Sequence, residues 1–189
     1  MKSRFERFLL GVLAVLAGML CAAQAPAQSG AQPWGYAEES RDWGVPATTR
    51  LRTVGYHSPT PQTIPGGKVV TTLELKAMLE REPRPYVIDV LGGNIHRTVA
   101  GAFWMIGAGA GDMGNEEEKR FAEAIAKFAG GDRSRPLVFL CVDAECWLSY
   151  NAALRAIALG YTNVMWYRGG IAAWRTADLP TAQSDPFFW

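Results

Sequence analysis

From Lys68 onward, short apolar runs alternate with segments of helical period, and this alternation restricts the possible folds more than any other feature of the chain. The runs "YVIDV" at Tyr86, "PLVFL" at Pro136 and "TNVMWY" at Thr162 are short and nearly uninterrupted, as buried strands are. Shorter strands are expected at Val69–Val70 and from Phe103 to Met105. Helical patterns lie between them. Thr71 or Thr72 caps the first, with Glu74 near its third position and Leu73, Leu75, Met78 and Leu79 at helical spacing. "NEEEKRFAEAIAKFAGGD" opens on acids, aligns Phe121, Ile125 and Phe128, and stops at Gly130-Gly131. "SYNAALRAIALG" predicts a helix with Ser149 as its cap. "GGIAAWRTA" predicts a short one before Leu179-Pro180 leads away. Strands alternating with helices predict an α/β sandwich around a mostly parallel sheet, where sites gather at the carboxyl ends of strands.

The chain has 189 residues, 49% of them hydrophobic, which suits one domain with an extension. Its net charge of +1 gives no electrostatic case for nucleic acid or an anionic membrane surface. The start, "MKSRFERFLLGVLAVLAGMLCAAQAPAQSG", joins basic Lys2, Arg4 and Arg7 to an apolar stretch and the small-residue site Ala25-Pro26-Ala27. Residues 1–27 are therefore expected to be a signal peptide, making the protein exported, to the periplasm by expectation. The apolar stretch is short against the ~20 residues of a membrane helix, so no stable span is expected after cleavage. Residues 28–67 lack a period but carry Trp34, Tyr36, Trp43 and Tyr56. They are expected to form an extended N-terminal arm, packed on the domain or partly disordered. The domain itself is expected over 68–182. The aromatic tail, 183–189, is either an exposed contact patch or folds back.

Cleavage would remove Cys21 and leave two cysteines, both in "PLVFLCVDAECWLSYNAALRAIALGY". Cys141 ends a predicted strand; Cys146 follows in the loop before a helix. Such a loop can aim backbone N–H groups inward and stabilise a thiolate, the reactive form of cysteine. A curled loop can also supply the ~4.4–6.8 Å Cα separation of a disulfide, and an oxidising compartment permits one. Chemical or redox work, a structural disulfide and inert packing are the readings open to the pair. No CxxC pair or histidine spacing supports a metal site, and there is no CxxCH for haem. No metal or cofactor is expected.

These landmarks resemble the rhodanese-like family: "YVIDV", "VAGAFWM", "PLVFLC" and above all "LGYTNVMWYRGGIAAWRTADLP", with Gly160-Tyr161, Asn163-Val164, Gly169-Gly170, Trp174 and Leu179-Pro180 in order. The resemblance implies a three-layer α/β sandwich and sulfane-sulfur transfer through a persulfide on Cys141. A narrower resemblance, through "YAEESRDWGVPATTRLRTVGY", "GAFWMIG" and "CWLSYNAALRAIALGYTNVMWY", is to exported CXXCW-motif proteins that accompany pyrroloquinoline quinone (PQQ)-dependent alcohol oxidation. It implies a partner: an exported quinoprotein dehydrogenase or another thiol protein.

The loop departs from active sulfurtransferases. Val142, Asp143, Ala144 and Glu145 supply two acids and no base, which disfavours an anionic donor such as thiosulfate. A two-thiol relay, with Cys146 resolving what Cys141 carries, fits better. A catalytically silent domain that binds an exported partner is the competing expectation. Trp147, Leu148 and Ser149 complete the candidate loop. Asp89 is expected to brace a neighbouring loop through backbone hydrogen bonds. Arg155, and with it Arg168, is a candidate source of positive field. His96 reads as a surface histidine, and His57 shows no partner.

Overall fold

A computed structural model describes residues 37–94 and 96–189. The proposed leader, with Cys21, lies outside them, as do Trp34 and Tyr36.

The strands are β1 (Lys68–Val70), β2 (Tyr86–Asp89), β3 (His96–Val99), β4 (Phe103–Trp104), β5 (Leu137–Leu140), β6 (Val164–Tyr167) and β7 (Thr181–Ser184). The helices are α1 (Thr72–Leu79), α2 (Asn115–Ala129), α3 (Trp147–Ala158) and α4 (Gly170–Thr176). Five strands form the central sheet in the order β1-β6-β5-β2-β4, every pair parallel. This is the α/β sandwich with a parallel sheet that the alternation predicts.

Two apolar layers flank the sheet. On one face Ile88, Phe139 and Trp166 pack with Phe121, Ile125 and Phe128 of α2 and Tyr150, Ala153 and Leu154 of α3. On the other, Val87, Val138, Leu140 and Tyr167 pack with Leu75 of α1 and Ile171 and Trp174 of α4. Both sides of β5 are therefore covered, which is why its sequence is apolar at every position. The capping box of α1 forms as expected: Thr71 accepts from the Glu74 amide, and Glu74 accepts from the Thr71 amide at 2.8 Å.

β3 and β7 pair antiparallel as a separate ribbon. This ribbon is absent from the sequence reading, because neither strand has an apolar run. The tail folds back: Pro186 bridges to Trp104, the Phe187 amide donates to the Trp104 carbonyl at 2.7 Å, and Phe187 packs on Phe128. Phe188 is left 90% exposed. No helix among the described residues is long and apolar enough to cross a membrane.

Candidate functional site

Cys141 follows the last residue of β5, at the carboxyl end of the sheet's middle strand. Its sulfur is bonded to that of Cys146, with Cα atoms 6.1 Å apart. Cys141 has no exposed surface and Cys146 has 4%. Cys146 is extended (φ −94°, ψ 110°) and is the N-cap of α3. The helix therefore begins at Trp147, its cap three residues before the expected Ser149. The disulfide and an Asp143 turn fix Cys146 just where the helix must start. Ser149 lies inside the first turn, where its hydroxyl accepts from the Trp166 indole at 3.0 Å.

The last three amides of the loop are engaged with acceptors of the chain itself. Glu145 N–H donates to the Asp143 carboxylate at 2.9 Å, and Cys146 N–H to the Asp143 carbonyl at 3.2 Å. Trp147 N–H donates to the Tyr56 carbonyl at 2.8 Å. The first amides of α4 are engaged as well, Ile171 N–H with the Cys141 carbonyl and Ala172 N–H with the Val142 carbonyl. Gly170 permits that close approach: it has φ +60°, and a Cβ there would lie 2.5 Å from the Cys141 carbonyl oxygen.

The segment before β1 crosses this loop. Tyr56–Ser58 runs antiparallel to Glu145–Trp147, with His57 directly opposite Cys146. Thr60 donates its hydroxyl proton to the Ala144 carbonyl. The Trp147 indole donates to Pro59 at 3.2 Å, and the Arg52 guanidinium stacks on its ring at 4.9 Å. Further along α3, Tyr150 and Asn151 hold the backbones of Thr48 and Arg52. Burial pushes the Tyr150 phenol above its ordinary pKa. Gly111 makes room for this crossing, since a Cβ there would overlap the Arg52 carbonyl oxygen.

Arg168, 1% exposed, fastens the segment from below. It donates to Thr60 Oγ1, the Thr60 carbonyl and the Glu39 carbonyl at 2.9–3.1 Å, and Trp43 stacks on it at 4.6 Å. Burial lowers its pKa, against the pull of Asp42 and Glu38. Arg168 thus binds backbone and supplies no free cation to the sulfurs. The Glu39 side chain accepts from Thr72 N–H (3.0 Å) and Oγ1 (2.6 Å) at the start of α1. Sequence reasoning missed Glu39, Thr60 and His57 as neighbours of this site, because only the path of the chain brings them there.

Of the candidate residues, Cys141 to Ser149 form one continuous unit, with Leu148 half-buried at its edge. Arg155 does not join it. It lies nine residues beyond Cys146, roughly 13 Å along the helix, and pairs with Glu118 at 2.7 Å. Asp89 is fully buried on the other face of the sheet: it is in register with Leu140, whereas Cys141 packs with the opposite layer. It accepts from the Leu91 amide at 2.9 Å, a brace of the following loop. It also binds Thr98 and His96 of β3. His96 is only 7% exposed, which corrects its reading as a surface histidine: Asp89 and Trp104 enclose it. Among the described residues no cluster of histidine, cysteine or acid side chains is arranged for a metal.

Comparison with known proteins places this arrangement. A family model described as "Rhodanese-like domain" matches residues 71–177. No curated protein matches. Among solved structures, a protein from Anabaena sp. is similar at 22% identity over 59% of this chain and 88% of that one, with a TM-score of 0.43. A thiosulfate sulfurtransferase from Pseudomonas aeruginosa is similar at 16% identity over 64% of this chain and 21% of that one, at 0.46. A yeast protein tyrosine phosphatase of the Rhodanese family is similar at 16% identity over 60% of this chain and 88% of that one, at 0.49. The family match spans more than half of the chain, from the start of α1 through α4 and across the cysteine loop: the chain belongs to the rhodanese-like family.

Proposed function

We propose that this is an exported rhodanese-like protein that works as a thiol–disulfide centre, with Cys141 as the carrier thiol and Cys146 as the resolving one. The observation that carries the reading is the covalent pairing of Cys141, at the end of the central strand, with the one other cysteine among the described residues. In the reduced protein Cys141 takes up a sulfane sulfur, or attacks a partner's disulfide and forms a mixed disulfide as the partner's other thiol leaves. Cys146 then discharges it: the Cys141 persulfide and the Cys146 thiol give the disulfide and hydrogen sulfide, with atoms and electrons balanced. The acids Asp143 and Glu145 make a thiol or neutral donor a better match than thiosulfate. The arm and the Cys–Cys–Trp loop resemble proteins that accompany PQQ-dependent alcohol oxidation, so the proposed partner is an exported quinoprotein dehydrogenase or a thiol protein serving it. Domain limits of 68–182, with 28–67 as arm, belong to the same proposal.

A second reading, a catalytically silent binding domain, draws on one observation: Cys141 is wholly buried, and the arm lies across its loop. One experiment separates the two. Reduced protein is exposed to a persulfide donor and weighed intact. The first reading expects the mass of one sulfur atom to appear on Cys146→Ser, to be absent from Cys141→Ser, and to be discharged to the disulfide in the unaltered chain. Full biological activity of Cys141→Ser would establish the second reading instead.

A further inference from the structure

We propose that His57 is the general base for Cys146, so that the N-terminal arm supplies part of the reaction centre. The inference rests on the thiol–disulfide reading above and names the group that moves its proton. The bonds from Ser58 N–H to the Glu145 carbonyl and from Trp147 N–H to the Tyr56 carbonyl, both 2.8 Å, flank the His57–Cys146 pair rather than join it. That is the close kind of antiparallel pair, with Cα atoms roughly 4.5 Å apart and side chains leaving the same face. The imidazole is thus tied by backbone to the residue whose sulfur must ionise. His57 Nδ1 lies 3.8 Å from Asp143 Oδ1, and the ring is 67% exposed, so it can pass a proton to water.

The surrounding charges fit this role. Asp143 of the loop faces the positive charge that the ring gains on taking a proton. Arg52 is turned away onto the Trp147 ring, and the Tyr56 hydroxyl is held near Asp112 and by the Gly111 amide. An acid orienting an imidazole beside a thiol is the arrangement that activates cysteine nucleophiles.

The step begins with Cys141 in a mixed disulfide with a thiol, R–SH. The Cys146 thiol gives its proton to the His57 ring. The thiolate's electron pair attacks Cys141 Sγ, and the bond from Cys141 to R–S breaks. R–S⁻ leaves with the bonding pair and takes the proton back from the imidazolium. The mixed disulfide and the Cys146 thiol thus become the Cys141–Cys146 disulfide and R–SH, and no outside oxidant is required.

The test follows thionitrobenzoate release after reduced full-length protein meets 5,5′-dithiobis(2-nitrobenzoate), the second phase reporting attack by Cys146. His57→Gln keeps the size and polarity of the side chain without its basicity. We expect it to slow that phase at least about tenfold at pH 7 and to flatten its pH profile. Added imidazole should restore part of the rate. Alkylation of Cys146 in Cys141→Ser should slow similarly on adding His57→Gln, with unfolding curves unchanged. Equal rates and pH profiles in a folded His57→Gln protein would overturn the inference while leaving the thiol–disulfide reading intact. Failure of the unaltered protein to form or resolve any mixed disulfide would overturn both.

Discussion

The chain contains two histidines, and each meets an aspartate in a setting opposite to the other's. His96 and Asp89 are 7% and 0% exposed and share a closed network with Thr98, the Leu91 amide and Trp104. His57 and Asp143 are 67% and 25% exposed, 3.8 Å apart, and meet across a single antiparallel bridge. Identical residue types thus do different work. The buried pair is enclosed by its hydrogen bonds, so it fixes the β3–β7 ribbon to the end of β2. The exposed pair is loosely held, faces water and sits beside the disulfide. Burial, rather than residue identity, separates a strut from a proton-handling group.

The largest expected effect tests that division directly. Asp89→Ala removes three contacts from a fully buried acceptor and leaves His96, Thr98 and the Leu91 amide without their partner. It should cost about 3–5 kcal/mol of unfolding free energy. Asp143→Ala removes one turn bond and an exposed contact with His57, and should cost about 1 kcal/mol or less. Urea unfolding of the two variants measures the gap. Similar costs would mean that the arm-side pair is as structural as the buried one.

A smaller effect asks whether the two regions are independent. Arg168→Met keeps an unbranched stem but releases the Glu39 and Thr60 carbonyls, at about 2–3 kcal/mol. Amide exchange should quicken across residues 39–60, and dithiothreitol should reduce Cys141–Cys146 faster. The β3–β7 ribbon should stay protected. Loss of protection in both regions together would show one cooperative unit and end the contrast.

What the sequence discloses follows the range of the interactions involved. β2, β5 and β6 are legible because burial on both faces makes each an apolar run by itself. The place of Cys141 follows from β5 alone. The ribbon is not legible, since neither strand has an apolar run and the two pair only after β4, β5 and β6 have intervened in the chain. His96 appears exposed until Asp89, on another strand, is known to face it. The start of α3 at Trp147 depends on a covalent bond and an arm contact, neither of which is propensity. The amide of Trp147 appears free in sequence because its acceptor comes from Tyr56, and the carbonyls of Cys141 and Val142 because their donors come from α4. His57 has no visible partner for the same reason: its neighbour is set by the path of the arm.

The smallest expected effect concerns pH and bears on which group senses it. Burial raises the Glu39 carboxyl above its ordinary range, and this outweighs the Thr72 hydrogen bonds that pull it down; Glu74 adds to the rise. Between the ordinary value and the raised one, the docked arm holds a proton that a released arm has lost. Docking is therefore strongest below the ordinary carboxylate range and weakens as pH rises through the raised value. Limited proteolysis across residues 39–60 should be slower at about pH 4 than at about pH 7, and Glu39→Gln should flatten that dependence. A slope that survives Glu39→Gln but disappears in His57→Gln would transfer the sensitivity to the exposed pair. The arm would then report the charge of the histidine beside Cys146, and the division between structural and proton-handling pairs would extend to the docking of the arm itself.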